Sequence, residues 1–229
     1  SDGYSTDFGD GLYSTLTAKQ GGEVRIPKLV DATGVNLDLD GTGNLSVSQL
    51  QRFASGRIYI TGGTPSFTGL LDAADTDIEV IGQSIAFPLL QYLDGAGLRA
   101  SGGGVLSFPL VTSYSHASTD RDQHRTWRAL GENSRIELPS LEQITGGTHY
   151  NTRLFVIAEG KGVIDLSKTK QIRDGASGDY RIRSIDVSAT GVGSIVRLDE
   201  LQSYSDGYST DFGDGLYSTL TAKQGGEVR

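Results

Sequence analysis

Residues 16–26 read LTAKQGGEVRI, and this stretch contains the pattern that decides the fold. Apolar or small residues alternate with polar ones at Leu16 and Ala18, two glycines follow, and the alternation resumes at Val24 and Ile26. Alternation with a period of two is typical of a β-strand that buries one face, and paired glycines favour a tight turn. The stretch therefore predicts a strand, a turn and a second strand.

The same offsets recur along the chain. Residues 37–47 read LDLDGTGNLSV, residues 98–108 read LRASGGGVLSF, and residues 156–166 read VIAEGKGVIDL. With looser copies included, the predicted units start at residues 16, 37, 58, 78, 98, 127, 156, 185 and 220. One unit of about 20 residues cannot bury its own apolar side, so units of this kind stack on one another as coils. We interpret the pattern as eight coils in 204 residues.

The first and last 25 residues of the chain are identical. Residues 1–25 and 205–229 both read SDGYSTDFGDGLYSTLTAKQGGEVR, at an offset of 204. Because diverged repeats drift apart, this identity predicts one long repeat, residues 1–204, followed by the start of the next identical repeat, residues 205–229. The expected partners are further copies of the same repeat, end to end. The lack of any Met agrees with a segment taken from a longer array.

The composition excludes several classes of protein. There is no Cys, so neither a disulfide framework nor a thiolate metal site can form. The net charge is −8, and the duplicated segment has four acids and two bases, so one 204-residue repeat carries −6. Charge that accumulates along an array disfavours nucleic-acid binding and lateral clumping. No stretch approaches the roughly 20 apolar residues of a membrane span, so none is predicted in this segment.

This strand–turn–strand pattern resembles the parallel β-helices, or β-solenoids, of giant tandem-repeat bacterial surface and fibre proteins. The resemblance covers nearly the whole chain and depends on the pattern, not on a signature motif. It implies an all-β fold with one inward column of side chains and an extracellular or cell-surface location. A leucine-rich-repeat horseshoe remains the alternative, because 20- to 21-residue periods occur there too. The lack of a recurrent Asn and the two strands predicted per coil favour the solenoid.

The later coils are longer than the first ones. Their extra residues follow the second strand, at 113–125, 146–153, 173–183 and 203–217. Insertions at one offset of a solenoid emerge on one face, and loops on a rigid scaffold often bind ligands. The alternative is that they pack on each other and shield the stack. The binding candidates in these loops, with a glycan as the expected ligand, are Tyr114, His116, His124, Tyr150 and Tyr180.

Two acidic segments are candidates for Ca²⁺, the one cofactor that the sequence suggests. Asp38 and Asp40 begin a stretch that is similar to an EF-hand loop, although Gln49 stands where the loop needs Glu. The duplicated segment clusters carboxylates among glycines and could bind Ca²⁺ through oxygen ligands, or form polar turns instead. Its acids are Asp2, Asp7 and Asp10, and in the second copy Asp206, Asp211 and Asp214.

Catalysis is not expected. Hydrolysis of polysaccharides requires carboxylates that converge on one face. The outward acids at strand positions are scattered along the chain, at Asp38, Glu79, Glu137, Asp165 and Asp186. The sequence therefore predicts a structural, non-catalytic repeat module of a long fibre or surface protein. The alternatives are a carbohydrate-binding adhesin that uses the tyrosines of its loops, and a polysaccharide-degrading β-helix enzyme.

Overall fold

The computed structural model describes residues 14–116, 119–179, 181–207 and 216–229. Within these ranges the chain forms 23 β-strands and no helix. The strands are β1 Ser14–Thr17, β2 Glu23–Val24, β3 Asp31–Thr33, β4 Val35–Asp40, β5 Asn44–Leu45, β6 Arg52–Ala54, β7 Arg57–Gly62, β8 Asp77–Ile81, β9 Ser84–Ala86, β10 Gly97–Ser101, β11 Val105–Ser107, β12 Ser113–Ser115, β13 His124–Leu130, β14 Arg135–Glu137, β15 Gln143–Thr145, β16 Arg153–Glu159, β17 Val163–Asp165, β18 Gln171–Asp174, β19 Ser184–Thr190, β20 Ile195–Arg197, β21 Ser203–Asp206, β22 Thr219–Lys223 and β23 Glu227–Val228. The described part of the chain thus has no helix long and apolar enough to cross a membrane.

The largest sheet has nine strands, all parallel, in the order β1-β4-β7-β8-β10-β13-β16-β19-β22. Its order is that of the sequence, so the chain returns to this sheet again and again in the same direction. Residues in register along it are Leu16, Leu37, Ile58, Ile78, Leu98, Trp127, Val156, Val187 and Leu220. Eight of the nine predicted starts therefore lie opposite one another.

The predicted start at Ile185 is wrong by two residues. Ile185 pairs with Leu154, and Val187 occupies the position opposite Val156. Both Ile185 and Val187 are buried. A shift of two keeps the same residues on the inward face, so the alternation alone could not distinguish the two registers.

The other sheets are also parallel. The second predicted strand forms a six-stranded sheet, β23-β20-β17-β14-β11-β9, and a two-stranded pair, β2-β5. A third column contains the pair β3-β6 and a four-stranded sheet, β12-β15-β18-β21. The all-β, parallel architecture is compatible with a β-helix.

The third column corrects the expectation of two strands per coil with loops after the second. Three of the predicted insertions begin within strands, since residues 113–115 form β12, residues 173–174 end β18, and residues 203–206 form β21. Each strand of the four-stranded sheet contributes one inward apolar residue, and these residues are in register: Tyr114, Ile144, Ile172 and Tyr204. A single apolar residue between polar neighbours is too short an alternation to indicate a strand.

Side chains from all three columns meet in one continuous core. Small residues recur at one offset of the large sheet, where Ala100, Ala129, Ala158 and Ala189 are in register and buried. Next to the second column, the rings of Phe67 and Phe87 lie 4.8 Å apart, and those of Phe87 and Phe108 lie 5.0 Å apart. At the outer edge of the large sheet, by contrast, Leu220 is 40% exposed.

Candidate functional site

The loop face consists of strands β12, β15, β18 and β21 with the segments that follow them. The described parts of those segments are residues 116, 119–123, 146–152, 175–179, 181–183 and 207. Four of the five predicted binding residues lie on or next to this face, and the fifth, Tyr180, lies outside the described residues.

Tyr114 and His116, two of the predicted binding residues, are buried. The Nε2 of His116 lies 3.1 Å from the carbonyl oxygen of Gln123, which can only accept, so Nε2 carries the proton. The Nδ1 of His116 then accepts a hydrogen bond from the hydroxyl of Tyr114 at 3.0 Å. The Tyr114 ring packs edge-on against Trp127 at 4.7 Å. This group anchors the first long segment to the core.

These contacts leave His116 without a free nitrogen for a metal or a proton. Burial lowers the pKa of His116 to about 4, so the ring is neutral at physiological pH. Burial also raises the pKa of Tyr114, which keeps its phenol protonated. Metal binding and proton transfer at His116 would both require this anchor to open.

His124 and Tyr150 join the segments of neighbouring strands. The Nε2 of His124 donates to the amide oxygen of Asn151 at 3.1 Å, and the Asn151 amide nitrogen donates to Asp122 at 3.0 Å. The guanidinium groups of Arg121 and Arg181 lie 5.3 and 5.1 Å from the centre of the Tyr150 ring. These segments pack on one another, which agrees with the shielding alternative and leaves Tyr150 only partly accessible.

Sequence reasoning missed a buried ion pair under the loop face. The carboxyl of Asp174 lies 3.5 Å from the guanidinium of Arg183, and both side chains are almost fully buried. Arg183 also donates to the carbonyl oxygens of Gly147 at 2.6 Å and Ser177 at 2.8 Å, and to that of Gly175. One arginine therefore connects two of the inserted segments. No signal in the sequence separates this Asp and Arg from the many solvated charges around them.

The pKa of the Asp174 carboxyl lies near neutral pH. Burial raises its pKa to about 7, against the opposing effect of Arg183. Asp206, which is opposite Asp174 in the ladder, raises it further. The Oδ1 of Asp174 and the Nε of Arg183 are buried without a hydrogen-bond partner. Asp174 therefore changes its charge near neutral pH, next to the arginine that connects two segments of the loop face.

In the EF-hand-like stretch, Asp40 and Gln49 have hydrogen-bond partners within the protein. Asp40 accepts hydrogen bonds from the amide of Thr42 at 2.9 Å and from its hydroxyl at 2.7 Å, and these bonds lower its pKa. The side-chain amide of Gln49 donates to the carbonyl oxygens of Ile26 and Ser46. The described residues contain no group of three or more His, Asp or Glu that could hold a metal ion.

The second acidic segment is described only in part. Asp206 ends β21 and accepts a hydrogen bond from the amide of Ser218 at 2.7 Å. The remaining acids lie outside the described residues: Asp2, Asp7, Asp10, Asp211 and Asp214. Calcium binding by these acids stays a prediction.

Of the five outward carboxylates, two are neighbours. Glu137 and Asp165 pair in adjacent strands of the second sheet. Arg135 lies 3.0 Å from Glu137, and Arg197 lies 3.6 Å from Asp165, so each carboxylate has a counter-ion. The other three are in the large sheet, where Glu79 bonds to a guanidinium on β7 and Asp186 to one on β16; Asp38 is in β4. Four of the five carboxylates thus have a guanidinium partner, and for three of them that partner is on a neighbouring strand.

The three tyrosines Tyr59, Tyr92 and Tyr204, all in the described part of the chain, do not form one row. Tyr59 lies in β7 beneath the guanidinium of Arg57 at 4.2 Å, Tyr92 is 61% exposed in the third column, and Tyr204 donates to the carbonyl oxygen of Ile185 at 3.1 Å. Tyr4 and Tyr13 lie outside the described residues. A stacking platform for a long glycan would need aromatic rings at one offset, which these described positions do not give.

The loop face also carries a polar groove of about 340 Å³. It runs along β15 and β18 and is closed on one side by residues 175–177. Amide, hydroxyl and guanidinium groups line it, from Gln143, Thr145, Gln171, Arg173 and Ser177. Such groups can donate to and accept from the hydroxyls of a sugar.

Comparisons with known proteins do not supply a relative for this site. No family model, curated protein or solved structure matches the chain. Function is therefore inferred from the residues and contacts of this chain itself.

Proposed function

We propose that this chain is a structural, non-catalytic β-solenoid module of a long extracellular or cell-surface fibre. In this proposal each 204-residue repeat makes eight coils, and further copies of the repeat continue the stack at both edges. The module supplies reach and stiffness, and its loop face displays an outer surface.

One observation carries the proposal. The parts of the duplicated segment that are described in both copies, residues 14–25 and 218–229, lie at opposite edges of the large sheet, with β1 and β22, and form the same turn. The amide of Gly22 donates to the carbonyl oxygen of Lys19 at 2.9 Å, and in the second copy the amide of Gly226 donates to that of Lys223 at 2.9 Å. The last turn of this chain thus has the same conformation as its first turn. A further repeat can therefore continue the stack in register.

Ion pairs between neighbouring strands suit an extended stack. Arg57 contacts Glu79 at 2.7 Å, and Lys161 contacts Glu132 at 3.2 Å, each across adjacent turns of the chain. Each partly exposed pair contributes only about 0–1 kcal/mol. Such pairs favour this register from one turn to the next, and the remaining negative charge keeps fibres apart.

The proposal is tested by the shape of a chain with three tandem 204-residue repeats. Eight strand spacings of about 4.8 Å give about 38 Å per repeat, so we expect a rod about 115 Å long. Small-angle X-ray scattering and negative-stain images measure this length directly. A compact particle whose longest dimension does not grow with repeat number would reject the fibre.

The polar groove favours a second candidate function, carbohydrate binding. Arg173 and Gln171 are the groups in it that suit sugar hydroxyls best. If the groove binds glycans, Arg173→Ala and Gln171→Ala should each weaken retention on a glycan array. Gln202→Ala, an exposed change outside the groove, is the matched control. Equal retention by all three variants would exclude the groove.

A further inference from the structure

We infer that separate copies of this chain join by exchanging the duplicated segment. Residues 218–229 of one copy take the place of residues 14–25 of the next copy, against that copy's β4 and β5. The inference rests on the proposed fibre, because it requires stacks that continue in register. Beyond the fibre itself, the inference specifies which strands connect two chains.

The two copies of the segment have the same sequence but pair with two different strands. In the first copy, Leu16 pairs with Leu37 of β4. In the second copy, the identical residue Leu220 pairs with Val187 of β19. No strand among the described residues pairs with the outer edge of β1 or of β22. Each copy therefore shows one edge of the same strand in use.

The two partners use different backbone groups of the segment. Toward the following strands, the amide of Gly21 donates to Thr42 at 2.7 Å, and the carbonyl of Gly22 accepts from Asn44 at 2.9 Å.

Toward the preceding strands, Lys223 accepts from Gly191 at 3.0 Å, and Glu227 donates to Ser194 at 2.9 Å. The amide of Arg229 donates to Val196 at 3.0 Å. None of these groups in one copy corresponds to one of these groups in the other, so these bonds can form on both sides of one segment at once.

The side-chain contacts on the two sides of the segment can also form at the same time. In the second copy, the hydroxyl of Thr219 donates to Asp186 at 2.8 Å, toward the preceding strand. In the first copy, Glu23 accepts from the side-chain amide of Asn44 at 3.2 Å, toward the following strand, while it pairs with Arg25 at 2.9 Å. The equivalent pair, Glu227 with Arg229, forms in the second copy at 2.9 Å as well.

Charge favours exchange over simple docking of one outer edge on the other. If β22 and β23 of one copy lay in register on β1 and β2 of the next, identical residues would face each other. Lysine would then lie on lysine, glutamate on glutamate and arginine on arginine, and like charges directly opposite one another are destabilising. In the exchanged junction the glutamate instead lies between Ile195 and Asn44.

Exchange also replaces every interaction that it breaks. The incoming segment is identical to the outgoing one, so residues 218–229 can form each hydrogen bond and packing interaction that residues 14–25 give up. The junction then buries Leu220, which is 40% exposed at the outer edge, in exchange for the displaced Leu16, which is packed against the core in the separate chain. Swapping of identical elements between copies is a low-cost route to assembly for this reason.

Engineered cysteines can test the junction, because the chain has none of its own. Thr15 pairs with Asn36, so in an exchanged junction residue 219 of one copy faces residue 36 of the next. Adjacent strands about 4.8 Å apart fit the Cα separation of a disulfide. Within one copy β4 and β22 are second and ninth in the sheet, about 34 Å apart, so this bond can form only between copies.

The experiment mixes Thr219→Cys chains with Asn36→Cys chains under mild oxidation. The control mixture pairs Thr219→Cys with Thr15→Cys, which reports edge-on-edge docking. We expect the 219–36 dimer to exceed the 219–15 dimer by at least tenfold, and an excess of a peptide of residues 205–229 to suppress it.

A dominant 219–15 dimer, or chains that stay monomeric and uncross-linked at high concentration, would overturn the exchange. The rod length of the three-repeat chain does not depend on exchange. A rod without the cross-link therefore rejects the exchange alone, and a compact tandem chain rejects the proposed function.

Discussion

Of the three stacked phenylalanine rings in the core, we expect the middle one, Phe87, to contribute most to stability. Its side chain is fully buried, with the ring of Phe67 at 4.8 Å on one side and that of Phe108 at 5.0 Å on the other. The Phe87 and Phe108 rings are nearly parallel, at 12°. Phe87→Ala would therefore remove the middle ring of a stack and leave a cavity between neighbouring turns of the chain.

The magnitude follows from these contacts. Truncation of a buried Phe to Ala costs about 3–5 kcal/mol in unfolding free energy. Each ring pair adds about 0.5–1.5 kcal/mol beyond the area that it buries. Phe108→Ala loses one ring pair where Phe87→Ala loses two, so its cost should be about 1 kcal/mol smaller.

Urea unfolding is the assay, with far-UV circular dichroism for all strands and the fluorescence of Trp127 for the local core. Leu89→Ala is the matched control, because Leu89 is two residues away and 44% exposed. We expect that control to shift the unfolding free energy by less than about 0.5 kcal/mol. A Phe87→Ala protein as stable as Leu89→Ala would refute the placement of this ring in the core.

Three other perturbations test the contacts between turns of the chain. Gly162→Ala would place a methyl group against the backbone of β13, whereas at Gly175 the nearest atom is 3.8 Å away. Thermal melting should therefore show a large loss for Gly162→Ala and almost none for Gly175→Ala, and equal losses would contradict the close stacking. Tyr114→Phe leaves the buried Nδ1 of His116 without its donor, so urea unfolding should show a cost of about 1–3 kcal/mol; an unchanged midpoint would disprove the hydrogen bond. Burial raises the pKa of Asp174 from 3.8 to about 7, so the folded state binds the extra proton and stability falls as pH rises from about 4 to about 7. Asp174→Asn should remove this contribution, so the stability of the variant should rise relative to that of the wild type as pH rises from about 4 to about 7, and a variant with the wild-type slope would rule out Asp174 as its source. Burial lowers the pKa of His116 to about 4 and gives the opposite slope in both proteins, so their difference isolates Asp174.

The strands with two or more alternating apolar residues could be predicted from sequence. Residues 98–108 show why, because Leu98, Ala100 and Leu106 all point inward and the glycines between them mark the turn. Ile185 shows the limit: a neighbour two residues away satisfies the same alternation, and only pairing with β16 decides between them.

The third column and the loop face could not be predicted in this way. Tyr114 is the one inward apolar residue of β12, so nothing in the local pattern separates a strand from a polar loop. His116 has the polar neighbours of a surface histidine, yet the segment that follows it covers its ring. The pair of Asp174 and Arg183 depends on where two inserted segments meet, which no local spacing encodes.

The most direct test of the continuous stack is a cryo-EM map of a chain with several tandem repeats, read at the junction. We predict unbroken strands about 4.8 Å apart and an axial repeat of about 38 Å. At each junction the residue equivalent to Leu220 should lie between Val187 of its own repeat and Leu37 of the next. A gap, a cap or a shifted register at the duplicated segment would contradict the account.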